Sequence, residues 1–172
     1  DPLADASHAW SAGNGILHLA GKPVGFLKSE KTFSNYHLHA EWRWPAKTGN
    51  SGLLVHVHGA NKVQPDALQC QIKDPHSGDL IGTAGFDFRP STASHGNRFK
   101  EKMTAPSEKP PGQWNTYDVF CRGDTIEVFL NGLRQNEAHK LSTASGSIGL
   151  EVEGYPIDFR NVWLQPLPSQ PK

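Results

Sequence analysis

The chain has 172 residues, enough for one domain with a substantial core and too few for two full-sized ones. Its 17 Lys and Arg balance its 17 Asp and Glu, so there is no basic excess to hold a phosphate backbone and nucleic acid is not an expected partner. With 36% hydrophobic residues and no run of about eighteen apolar positions, it offers neither a membrane span nor an amphipathic anchor. The first residue is Asp1 rather than methionine, which fits a processed chain and leaves export open. Cys70 and Cys121 are too few to staple the fold, and their redox state stays open.

Along the chain, 17 Gly and 13 Pro cut the sequence into short segments, many with period-two alternation and none with a sustained helical apolar stripe. The expected class is all-β. Alternation predicts strands over 15–19, 37–44, 51–58, 68–73, 115–122, 125–130, 147–153 and 157–165. Residues 75–112 are rich in Pro, Ser, Gly, His and Lys, with Phe86, Phe88 and Phe99 as large anchors, and read as a long loop of the kind that carries function. Asn131-Gly132 is a type I′ hairpin signal joining two of these strands, because both residues tolerate positive φ. Residues 166–172 read as a tail or linker, with the domain itself drawn over 1–167 and the tail proper over 168–172. Gly49-Asn50-Ser51-Gly52 precedes a strand rather than opening a helix, which argues against a phosphate cradle.

Alternate side chains of a strand share a face. Glu41 and Arg43 alternate with Trp42 and Trp44, His56 and His58 with Val55 and Val57, and Gln69 and Gln71 with Leu68, Cys70 and Ile72. Glu151 and Glu153 alternate with Leu150 and Val152, and Asp158 and Arg160 flank Phe159. If one sheet carried all of these outward, they would form a groove of carboxylates, amides, guanidinium groups and imidazoles. That mixture suits sugars, whose hydroxyls pair with such groups while Trp or Tyr stacks on the ring. The opposing reading is an ordinary solvated face.

His56 and His58, with Asp74 and His76 in the following loop, could bind a divalent metal, although no dense ligand spacing marks a site and no cofactor is certain. His56 could instead be a general base. No Gly-x-Ser-x-Gly elbow is present, and Cys70 between two glutamines looks packed rather than activated. Glu41, Asp74, Glu151, Glu153 and Asp158 could supply a glycosidase pair, but the sequence gives no separation between them.

The ordered set Gly25-Phe26-Leu27, Asn35-Tyr36-His37-Leu38, Glu41-Trp42-Arg43, Gly49-Asn50-Ser51-Gly52-Leu53, Gln69-Cys70-Gln71-Ile72, Gly112-Gln113-Trp114-Asn115, Leu130-Asn131-Gly132, Gly146-Ser147-Ile148-Gly149-Leu150 and Phe159-Arg160-Asn161-Val162 resembles the 3-keto-disaccharide hydrolase family from about Trp10 to Leu167. The resemblance implies a jelly-roll β-sandwich of the concanavalin A-like lectin/glucanase type, an oligosaccharide or glycoside substrate oxidised to a ketone at C3, and a secreted or periplasmic location. The family often has Glu-x-Gln where Gln69 and Gln71 stand and commonly Gln where Glu151 stands, so altered specificity or lost activity is left open. Arg160 and Asn161 could equally close the sandwich by hydrogen bonds.

A C3 ketone acidifies the C2 proton and makes the C1 substituent a β-leaving group, so elimination followed by hydration gives net hydrolysis. On this expectation His56 is the base and Glu153 the acid or orienting carboxylate. Arg43, Gln69 and Gln71 bind substrate or stabilise the enolate, with Glu41, Glu151, Arg160 and, as a stacking group, Trp114 or Trp44 around them. A non-catalytic lectin-like module is the alternative.

Overall fold

The computed structural model describes residues 8–168. Fourteen strands follow one another along the chain: β1 (Trp10–Gly13), β2 (Ile16–Leu19), β3 (Gly25–Lys28), β4 (Tyr36–Arg43), β5 (Ser51–His58), β6 (Asp66–Ile72), β7 (Leu80–Thr83), β8 (Thr92–Ser94), β9 (Asn97–Lys100), β10 (Asn115–Arg122), β11 (Thr125–Leu130), β12 (Leu133–Ala138), β13 (Ser147–Val152) and β14 (Ile157–Pro166). They form two seven-stranded antiparallel sheets, a first of order β1-β2-β14-β4-β10-β11-β12 and a second of order β3-β13-β5-β6-β7-β9-β8. No helix long and apolar enough to cross a membrane occurs among the described residues.

The alternation in β4 and β10 has its physical cause in the sandwich. Tyr36, Leu38, Ala40 and Trp42 from β4 and Tyr117, Val119 and Cys121 from β10 face inward and are almost wholly removed from water. Opposite them the second sheet contributes Leu53, Val55, Leu68, Cys70, Ile72 and Leu150, and all belong to one core. Each such large apolar side chain contributes roughly 1.5–3 kcal/mol when fully buried. Cys70 and Cys121 are free thiols within this core, one on each sheet, and burial raises the pKa of both.

The second sheet is not half-solvated. Nearly every residue of β5 and β6 is buried on both faces, including Gln69 and Gln71. Leu54, Val57 and Ala67 form a separate small apolar cluster on its outer side, with Phe26 packed against it.

Several sequence expectations change. The segment 75–112 is not one loop: it supplies β7, β9 and β8 to the edge of the second sheet, while Phe86 and Phe88 are fully buried. The Asn131-Gly132 turn does have positive φ at both residues, but its second strand is β12, outside the predicted set. That strand lacks apolar alternation because two of its three buried residues are Gln135 and Asn136, the third being Ala138. Their amides donate to Ser107 Oγ at 2.9 Å and Gly78 O at 3.0 Å, which ties both of those loop residues to the strand. Pro166 is no tail residue, since it pairs with Tyr36, and Leu167 N–H donates to Asn35 O. Ser169 to Lys172 lie outside the described residues.

Candidate active site

The candidate side chains divide between opposite faces of the sandwich. Glu41 and Arg43 (β4) and Asp158 and Arg160 (β14) lie on the outer face of the first sheet, paired in register as Asp158 with Arg43 and Arg160 with Glu41. Gln69 and Gln71 (β6) and Glu151 (β13) lie on the outer face of the second, flanking β5 on its two sides. The single groove expected from the alternation therefore does not form. Alternation places residues on one side of their own strand, whereas sheet membership decides which face of the protein that is.

On the first face the charges satisfy one another. Arg160 Nε donates to Glu41 Oε2 at 2.6 Å and Asn161 Nδ2 to Glu41 Oε1 at 2.7 Å. Arg43 Nε donates to Asp158 Oδ2 at 2.8 Å, and His18 meets Asp158 Oδ1 at 2.7 Å. Burial acts against ionised Glu41, but the hydrogen bonds of Asn161 and Arg160 prevail and hold its pKa below the usual value. Trp114 is covered by guanidinium groups, Arg160 at 4.0 Å and Arg43 at 4.7 Å from the ring centroid. Glu41, Arg43, Arg160 and Trp114 thus form a self-paired network across β4 and β14.

His56 does not reach a surface. It is fully buried, its ring stands edge-on to Tyr36 at 5.8 Å, and its Nδ1–H donates to Thr143 O at 2.9 Å. Burial lowers its pKa to about 4, against the effect of the Thr143 bond, so it stays neutral. The cause is a bulge: the β5–β6 register shifts between Val55 and His58, and His56 has φ of 53°. His58 pairs with Asp66 at the start of β6, whereas Asp74 and His76 follow its far end, roughly 20 Å away at strand rise. The proposed metal set is not brought together, and no cluster of three or more His, Cys, Asp and Glu that could hold a metal ion occurs among the described residues.

The second face carries a connected row. Gln69 Nε2 donates both to Glu151 Oε2 at 2.8 Å and to Gln71 Oε1 at 2.7 Å, and Gln71 Nε2 donates to Asn50 Oδ1 at 3.1 Å. The row can form because β5 presents Gly52 at the crossing. A Cβ there would lie 2.7 Å from Gln69 Cγ and 2.8 Å from Glu151 Oε2. Burial, followed by the nearby charge of Glu153, raises the Glu151 pKa to about 8, so the acid is protonated at neutral pH. Glu153 is also raised by burial, with Lys73 opposing. Oε2 of Glu151 is occupied as an acceptor, which leaves Oε1 to carry the proton. By donor count, Gln69 has spent both amide hydrogens, while Gln71 retains one and Asn50 two for a ligand.

At the rim, Tyr155 packs on the backbone of Gly49, where a Cβ would come within 2.4 Å of the Tyr155 side chain, and Lys47 lies over its ring at 5.9 Å. Asn50, Gly52 and Lys73 were not among the predicted site residues. A glycine inside an otherwise apolar strand was the available signal, since it marks a close approach from the next strand.

The fold is a jelly-roll sandwich, and the outer face of its second sheet carries an acid–amide row. Residues 3–165 match the family described as the 3-keto-alpha-glucoside-1,2-lyase-like domain, and the chain belongs to that family. Solved structures share the fold. A candidate glycosyl hydrolase from Parabacteroides distasonis is 20% identical with TM-score 0.72, over 92% of this chain and 90% of that one. The carbohydrate-binding module CBM66 from Bacillus subtilis is 14% identical with TM-score 0.63, over 91% and 90%. The Bacillus licheniformis β-glucanase is 10% identical with TM-score 0.60, over 94% and 83%. No curated protein matches the sequence.

Proposed function

We propose that the protein is an enzyme that cleaves 3-keto glycosides or disaccharides by elimination and hydration on the outer face of the second sheet. The observation that carries this reading is Glu151: a protonated carboxyl fixed by Gln69, beside the second carboxyl Glu153, whose charge helps to keep it protonated. Burial raises both carboxyls, Glu151 as far as about 8, and a difference between two neighbouring carboxyls is the usual basis of an acid and base assignment.

With the ketone at C3, the Glu153 carboxylate takes the C2 proton and the electron pair moves onto the C3 oxygen. That charge is received by the free amide hydrogens of Asn50 and Gln71 and by the Lys73 ammonium. The enolate then forms the C1–C2 double bond as the C1–O bond breaks, and Glu151 delivers its proton to the departing oxygen. Water adds to C1 of the enone, losing a proton to the Glu151 carboxylate, while Glu153, whose carboxyl proton has by then exchanged with solvent, protonates C2. The sum is hydrolysis with both carboxyls restored. An exported, glycan-degrading role accompanies this proposal, as the family resemblance suggests.

A lectin-like function has one observation in its favour: a pre-organised row of amides binds hydroxyls without any need for turnover. The test is cleavage of a 3-keto disaccharide by the wild type and by Glu151→Gln and Glu153→Gln. Loss of turnover by at least a hundredfold with retained binding supports the enzyme, whereas absence of product with every protein supports the lectin.

A further inference from the structure

The polar row has unlike flanks. In register, Glu151 on β13 stands directly opposite Phe26 on the edge strand β3, so the two side chains are neighbours on one face with Cβ atoms roughly 5 Å apart. Phe26 is half-buried, packed against Leu54, Val57 and Ala67, none of which brings a polar side-chain atom. The nearest charge on β3, the Lys28 ammonium, is taken up by Asn61 Oδ1 at 2.6 Å. On the other side of Glu151, across Gly52, stand Gln69, Gln71 and Asn50, the last two with amide hydrogens free.

The geometry points to Phe26 as the platform for the leaving group, and to glycosides with an apolar, preferably planar, aglycone as the favoured substrates. This rests on the reading of Glu151 as the acid toward the departing oxygen. The oxygen protonated by Glu151 joins two groups that must lie on either side of it. The ketone-bearing sugar, rich in hydroxyls, matches the amide flank. A second sugar on the Phe26 flank would leave its hydroxyls without partners, a loss that an aryl group avoids. An aromatic ring stacks on Phe26 at the same point with a gain beyond its buried area.

The test uses phenyl and methyl 3-keto-glucosides, with dissociation constants measured by calorimetry on Glu151→Gln, which binds without turning over. The expected result is that the phenyl glycoside binds at least about fivefold more tightly. Adding Phe26→Ala brings the two ligands within twofold by weakening the phenyl compound alone, and Phe26→Leu keeps part of the preference. Circular dichroism and melting curves establish that both variants fold, and the leucine variant serves if the alanine one does not. Equal binding of the two glycosides by the parent, or a preference unchanged by either Phe26 substitution, overturns the assignment of Phe26 while leaving the site reading intact. Failure of the parent to bind either glycoside overturns both.

Discussion

Gln69 and Glu151 sit on strands separated by β5, yet their side chains meet at 2.8 Å because Gly52 leaves the space between them open. The contact joins an amide to a carboxyl, and Gln69 is the only side-chain hydrogen-bond partner of that acid among the described residues. The resemblance drawn from the sequence puts a carboxylate more often at position 69 and an amide at 151. In this chain the pair has one of each, with the acid on β13.

Gly52→Ala should separate fold from site. Gly52 has no positive φ, so alanine fits its backbone, but the new Cβ falls between Gln69 and Glu151. Displacing a reacting group by about 1 Å costs on the order of a hundredfold in rate. Turnover of a 3-keto glycoside is expected to fall by about that factor, with only a small change in Tm, as read by steady-state assay and thermal melting.

Exchange of the pair is a second check. Glu151→Gln alone should remove the acid and lower turnover by about 10²–10⁴-fold. In the double variant Gln69→Glu with Glu151→Gln, the acid and amide are again in contact, and turnover should recover by at least tenfold over Glu151→Gln. Kinetics of the three proteins on one substrate decide this.

The pH dependence has a definite sign. Glu151 titrates near 8 in the folded protein and near about 4.3 when unfolded, so between these values the folded state holds a proton that the unfolded state has lost. Stability therefore declines as pH rises through that window, by up to about 1.4 kcal/mol per unit, and levels off above about pH 8. Glu151→Gln should lack this slope and gain stability relative to wild type at pH 8. Turnover should fall along an alkaline limb near pH 8 as the acid ionises. Denaturant melts across pH and a pH–rate profile measure the two effects.

The opposite face predicts an unlike outcome. Removing Arg160 leaves the partly buried Glu41 carboxylate with the Asn161 amide but no guanidinium, a loss of about 1–3 kcal/mol. Arg160→Ala should lower Tm by several degrees and leave KM for the glycoside within about twofold. A large rise in KM would move substrate to the first sheet.

Much of the fold was legible in the sequence. Eight strands show period-two alternation strong enough to place them, and the buried Trp42, Tyr117 and Phe159 fall where the pattern puts them. Strands β1, β3, β7, β8 and β9, of three or four residues each, carry no alternation that marks them, and β12 buries the amides of Gln135 and Asn136 beside Ala138. The site was legible as a set of residues but not as a place. Gln69, Gln71, Glu151 and Glu153 were singled out with Glu41, Arg43 and Arg160, and nothing local distinguishes the strands of one sheet from those of the other. His56 was misplaced for a long-range reason. Its left-handed backbone packs so tightly against Gly146 that a Cβ there would lie 2.4 Å from His56 C, a contact ninety residues away in sequence that turns the imidazole into the core.

The most direct measurement is to incubate the protein in deuterated water with a 3-keto disaccharide and with its unoxidised parent, and to follow both by NMR. The expected result is cleavage of the keto sugar alone, with deuterium appearing at C2 of the product and both signals lost in Glu151→Gln. Cleavage of the unoxidised parent, or cleavage of the keto sugar with C2 still fully protonated, would contradict it.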